Sequence, residues 1–144
     1  MSPSPTLDLG SGPRSDSSKN SRGTILIVED DPTIVGLLSV LLRRQGWDII
    51  CAEDGKQALS VFCDSPKIDM AIVDGRLPDM DGEDVCLKMR DSDPGLPLLL
   101  CSGLLSMGNI ERVGGPAHFL PKPFSPSQIM AMINSMLPGS GAAI

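Results

Sequence analysis

Hydrophobic residues along this chain fall into short solid blocks separated by longer segments of helical period. Thr24-Ile25-Leu26-Ile27-Val28 is a β-branched run without polar alternation, the pattern of a strand buried on both faces. Asp31-Pro32 predicts the start of a helix, with Asp31 as N-cap and Pro32 in the first turn. Ile34, Val35, Leu37, Leu38, Leu41 and Leu42 line one face of it. Gly46 ends it, with Arg43 and Arg44 in the last turn. Trp47 to Ala52 reads as a second strand, and Asp54-Gly55-Lys56-Gln57 as a capping box opening a helix through Phe62. Asp69 to Val73 is a third strand ending at Asp74, and Gly82 to Arg90 a short helix. Leu96 to Cys101 is a fourth strand, where Pro97 is tolerable only near the start. Ala117 to Leu120 is a fifth. A second capping box, Ser125-Pro126-Ser127-Gln128, opens a helix carrying Ile129, Met130, Met132, Ile133, Met136 and Leu137. Between the last two strands, Gly103, Gly108, Gly114, Gly115 and Pro116 predict a short or irregular helix.

Strands alternating with helices argue for an α/β fold, a parallel sheet with helices on both faces. In such a sheet functional groups gather at the carboxyl ends of the strands. Here the first strand ends in Glu29-Asp30-Asp31, the third in Asp74 and the fourth in Ser102, and Lys122-Pro123 follows the fifth. One edge of the sheet would collect several carboxylates, a hydroxyl and an ammonium. Crowded acids repel one another unless a cation intervenes, and carboxylate oxygens without softer donors suit Mg²⁺. An Asp carboxylate is a competent nucleophile toward phosphorus. A divalent cation and Lys122 would stabilise charge on a transferring phosphoryl group, and Ser102 could donate a hydrogen bond to it.

Composition narrows this reading. The 144 residues fit one domain between two flanks. Residues 1–23 are rich in Ser, Pro and Gly and read as a disordered leader or linker, 24–137 as the folded domain, and 138–144 as a flexible tail. Net charge is −6; residues 1–22 hold three basic and two acidic side chains, so the remainder is more acidic still. That balance matches a polyanion poorly, and one Trp, three Phe and no Tyr give no stacking platform. Direct nucleic-acid binding is therefore not expected. Cys51, Cys63, Cys86 and Cys101 show no metal-ligand spacing, and Cys51 and Cys101 read as small core residues. No apolar run is long enough to span a membrane and no secretory signal is present, so a cytoplasmic location is the default.

The ordered set of acidic pair, Asp, Ser and Lys-Pro, each after its own strand, resembles the receiver domain of two-component response regulators. The pieces are Ile25-Leu26-Ile27-Val28-Glu29-Asp30-Asp31-Pro32, Asp69-Met70-Ala71-Ile72-Val73-Asp74 and Leu77-Pro78-Asp79-Met80-Asp81-Gly82. They continue with Cys101-Ser102-Gly103 and Phe119-Leu120-Pro121-Lys122-Pro123-Phe124. The resemblance covers residues 24–137 and implies a doubly wound, flavodoxin-like five-stranded sheet of order 2-1-3-4-5. It implies that Asp74 accepts the phosphoryl group and that Mg²⁺ is held by Asp30, Asp74 and the Arg76 backbone carbonyl, with Glu29 assisting. By the same resemblance Lys122 pairs with the acceptor across a cis Lys122-Pro123 bond, Ser102 contacts the phosphoryl group and moves, and Phe119 is the switch aromatic. A histidine kinase or histidine phosphotransfer protein would be the donor, since His118 is the sole histidine. The protein would be an acceptor and switch rather than a turnover enzyme, with an unidentified output partner. The Ser-Gly-Leu and Lys-Pro-Phe-Ser-Pro stretches look similar to receivers at the C-termini of hybrid histidine kinases.

Simpler readings stand beside these. Asp31, Asp79 and Asp81 serve as cap or turn residues, Phe119 fits a plain core position, and His118 needs no chemical role. Gly75 stands where the family usually has a bulkier apolar residue, which would loosen the loop over the site. Leu104 and Arg76 would shield the phosphoryl group from water and prolong its life. An aspartate-nucleophile phosphohydrolase is one alternative, although that class commonly carries a second acid where Arg76 stands. A receiver-like binding module that is never phosphorylated is the other.

Overall fold

The computed structural model describes residues 21–65, 67–103 and 110–137. Residues 1–20 of the leader, the 138–144 tail and Leu104 lie outside the described residues. The elements run β1 (Gly23–Val28), α1 (Pro32–Arg44), β2 (Trp47–Ala52), α2 (Gly55–Asp64) and β3 (Met70–Asp74). They continue with α3 (Gly82–Ser92), β4 (Leu98–Ser102), α4 (Ile110–Val113), β5 (Ala117–Pro121) and α5 (Pro126–Met136). All pairings are parallel and the sheet order is β2-β1-β3-β4-β5, the doubly wound arrangement expected.

Strands β1 and β3 are apolar on both sides because both sides are covered. Ile25, Ile27, Met70, Ile72, Leu99 and Leu120 pack with Leu38 and Leu42 of α1 and Ile129 and Ile133 of α5. On the other face Leu26, Val28, Ala71, Val73, Leu98 and Leu100 pack with Ala58 of α2, Val85 and Met89 of α3, and Val113 of α4. The sheet order reverses between β1 and β3, so their carboxyl ends border the crevice where such folds bind ligands.

Asp31 caps α1, its carboxylate accepting the Thr33 amide at 2.9 Å, and Ser125 and Gln128 form a reciprocal capping box on α5. At α2 the box is shifted: Asp54 accepts the Gln57 amide at 2.7 Å, but Gln57 reaches back to the Glu53 amide at 2.6 Å. The third strand begins one residue later than expected. Asp69 instead turns its carboxylate onto the Thr24 amide at 2.8 Å, fastening the start of β1. The expected weak helix is α4, a single turn.

Two expectations about the core are corrected. Leu37 is 39% exposed and Val40 50%. Successive helical positions are about 100° apart, so pointing Leu38 and Leu42 at the sheet turns Leu37 off it, and Ser39 is buried instead. Cys51 is exposed, because β2 is an edge strand whose Trp47 and Ile49 face is open at Cys51, while Ala52 on the other face is buried.

Candidate functional site: an acidic crevice at the strand ends

The crevice is made by residues at or just past the carboxyl ends of strands, so rigid backbone sets each position. Glu29 leaves β1 with its amide on the Ala52 carbonyl at 3.0 Å. Asp74 is the last residue of β3, buried throughout. Ser102 ends β4, half-buried, and its carbonyl accepts the Lys122 amide at 2.8 Å. Lys122 follows β5 and its bond to Pro123 is cis.

Lys122 spans the site. Its Nζ lies 2.9 Å from Asp74 Oδ1 and 3.2 Å from Glu29 Oε1. The other Glu29 oxygen accepts the Asp31 amide at 3.2 Å. Glu29, Asp30 and Asp74 each offer a carboxylate oxygen within 4.8 Å of the others; Glu29 and Asp74 are buried and Asp30 is exposed. Burial, and then the neighbouring Asp74 charge, push the Glu29 carboxyl above its ordinary value against the opposing pull of Lys122 and the Asp31 amide. Burial pulls the Lys122 ammonium down, but its bonds to Asp74 and Glu29 outweigh this and hold it above the ordinary lysine value. The ammonium is thus a fixed cation at neutral pH. The Cys101 thiol, one residue before Ser102, is pushed up to about 12 by burial and is neither a nucleophile nor a ligand at neutral pH.

Gly75 overturns its expected role. Its amide donates to the Cys101 carbonyl at 2.7 Å and its carbonyl accepts the Gly82 amide at 3.0 Å, so the loop is held at its base rather than loosened. A Cβ on Gly75 would lie 2.7 Å from Ser102 Cβ and 2.9 Å from its Oγ. The missing side chain makes room for Ser102.

Arg76 is exposed and pairs with Asp81 in an isolated antiparallel bridge. Phe119 is half-buried on the α2/α3 face of the sheet, and His118 is exposed. Asp81 stands at the N-cap of α3 without a side-chain cap bond. Asp79 does more than turn the chain: it accepts the Gly55 amide at 2.7 Å and the Lys56 amide at 2.9 Å. These bonds hold its carboxyl below the ordinary value. Nothing in the local sequence signalled this, since the partners lie 24 and 23 residues upstream.

Residues 25–134 match the Response regulator receiver domain family. The chain belongs to this family. Receivers act as phosphoacceptor switches rather than turnover enzymes. Two relatives from Mycobacterium tuberculosis are the Probable transcriptional regulatory protein TcrX and the Transcriptional regulatory protein TrcR. They are 33% and 32% identical to this receiver over 82% and 90% of its chain, and 51% of each relative is covered. The chain thus spans about half the length of these curated relatives. The crystal structure of a CheY-like response regulator receiver domain protein from Methanospirillum hungatei JF-1 superposes with a TM-score of 0.75 at 25% identity. That match covers 86% of this receiver and 100% of the other chain. No helix among the described residues is long and apolar enough to cross a membrane.

Proposed function

We propose that residues 24–137 are a receiver unit that takes a phosphoryl group from a phosphohistidine onto Asp74, with Mg²⁺ as cofactor. The observation that carries this reading is the Lys122 ammonium bonded to both Asp74 and Glu29 within a three-carboxylate cluster. The donor set is all oxygen, without imidazole or thiolate, which suits a small hard cation. Asp30, Asp74 and the Arg76 carbonyl would hold it, with Glu29 assisting. When bound it would neutralise the crowded acids and the charge developing on the phosphoryl oxygens.

An Asp74 carboxylate oxygen attacks phosphorus. The P–O bond forms as the P–N bond breaks, and the imidazole nitrogen leaves with the electron pair and takes a proton from solvent. Lys122, already cationic, exchanges its carboxylate partner for a phosphoryl oxygen. Ser102 donates to another, and its movement with Phe119 would bias the surface read by an output partner. The donor is a histidine kinase or a histidine phosphotransfer protein, and the setting cytoplasmic. Incubation with Mg²⁺ and acetyl phosphate, followed by intact mass, tests the assignment. The wild type gains one phosphoryl group and Asp74→Asn gains none. A wild type that binds Mg²⁺ and gains nothing would overturn it.

A further inference from the structure

The segment joining β3 to α3 is a small closed hairpin. Gly75 and Gly82 are joined at its base, Arg76 and Asp81 bridge its arms, and the Leu77 amide meets the Met80 carbonyl at 3.2 Å below the tip. The base is seated hard against the acceptor strand, since a Cβ on Gly82 would run into the Asp74 carbonyl. The tip, Pro78-Asp79, reaches across to α2, where the Asp79 carboxylate grips the amides of Gly55 and Lys56 with one oxygen each. Met80 fills the space beside Gly55 that a Cβ would need.

The N-cap of α2, Asp54, serves only the third free amide, that of Gln57, and Asp79 satisfies the two before it. Beyond capping, the Asp79 bonds link two elements otherwise distant in sequence. A carboxylate accepting two backbone amides at a helix N-terminus is a charge-assisted pair aligned with the helix dipole.

We propose that Asp79 is a positioning residue for phosphoryl transfer, tethering the hairpin tip to α2 and so fixing the Arg76 carbonyl on the hairpin's first arm beside the acid cluster. This rests on the reading of Arg76 as a metal ligand given above. A ligand on a tethered arm loses little freedom when the cation binds. A ligand on a free arm must be ordered at the expense of binding free energy. Groups that orient ligands typically change metal affinity by about 10–100-fold when removed.

The experiment compares Asp79→Ala with Asp54→Ala, which removes a cap from the same helix without touching the hairpin. Calorimetric titration with Mg²⁺ alone gives the affinity, and acetyl phosphate with intact mass gives the rate of acceptor loading. Asp79→Ala weakens Mg²⁺ binding about tenfold and raises the Mg²⁺ needed for half-maximal loading by the same factor, with the rate at saturating Mg²⁺ unchanged. Asp79→Asn, keeping one acceptor oxygen, falls between. Asp54→Ala lowers the melting temperature but leaves Mg²⁺ affinity as in the wild type. Equal losses in the two alanine variants, or none in Asp79→Ala, would overturn the proposal. Should the wild type bind no Mg²⁺, the metal reading itself fails. The tether is then judged by amide exchange in the hairpin, which must rise in Asp79→Ala and not in Asp54→Ala if the tip is held as described.

Discussion

At the scale of single residues, the site is governed by one absent side chain. Gly75 leaves the space that Ser102 occupies, and Cys101 closes the pocket with its carbonyl 3.3 Å from where a Cβ would stand. The Ser102 atom at closest approach is Cβ, which is tied to backbone and cannot swing aside as a long side chain would. Gly75→Ala should therefore cost about 1–3 kcal/mol, the range for overpacking a close-fitted position, read as a lower urea midpoint. It should also slow acceptor loading by moving the hydroxyl. In a Ser102→Gly background the same alanine should cost much less, and this non-additivity is the check. Strictly additive costs would show that Ser102 is not the obstacle. The sequence marked Gly75 as unusual but pointed the wrong way, because a glycine's neighbours across a sheet are invisible until β4 is placed beside β3. Asp79 reads from the sequence as a cap or turn residue, but which helix it caps does not, its partners being on a different element.

At the scale of elements, the end of α3 is organised by Arg90. Its guanidinium donates to the carbonyls of Gly114, Asp93, Pro94 and Leu96 at 2.6–3.1 Å, joining the turn before β4 to the turn before β5. A second tie, Arg112 to Glu83 at 2.6 Å, fastens the one-turn helix α4 to the first turn of α3. With so few residues α4 cannot hold itself, so these two arginines add to the packing of Val113 and Ile110 against the core. Arg90→Ala should cost about 1.5–3 kcal/mol, the range for hydrogen bonds from a charged donor. Arg90→Lys should recover only part of it, since an ammonium lacks the planar fork. Equilibrium unfolding of the two variants checks this, and full recovery by lysine would mean that charge rather than geometry matters. Most elements were legible in advance because their signals are local: the β-branched run of β1, the Asp31-Pro32 start of α1 and the Ser125–Gln128 box of α5. The convergence of Asp30, Asp74, Ser102 and Lys122 was legible because each lies at or just past the carboxyl end of a strand. The arginine ties were not, because they depend on how turns and helices distant in sequence meet in space.

At the scale of the whole molecule, folding forces like charges together, and that sets a dependence on pH and metal. The sheet brings Glu29, Asp30 and Asp74 to one end, and the Glu29 carboxyl is raised from 4.5, first by burial and then by Asp74. A raised acid means that the folded state binds the proton more tightly than the unfolded chain. Below 4.5 Glu29 is protonated in both states; as pH rises through its folded value only the folded state bears the penalty of ionising it, so stability falls. Lys122 does not cancel this trend. Its raised value keeps the ammonium charged throughout that window, and the charge is lost only as pH climbs past its own value, above 10.5. The metal-free receiver should therefore be less stable at neutral pH than near 4.5, and Glu29→Gln should lose less. Mg²⁺ should reverse the trend, since a cation among ionised carboxylates binds the folded state alone. At a hundred times its dissociation constant it contributes about 2.7 kcal/mol. Thermal melts with and without Mg²⁺ at the two pH values supply the check. The Mg²⁺-induced rise should be larger near neutrality than in acid, and smaller in Glu29→Gln at both. A rise independent of pH and unchanged by that substitution would place the cation away from the strand ends and remove the carboxylate cluster as its site.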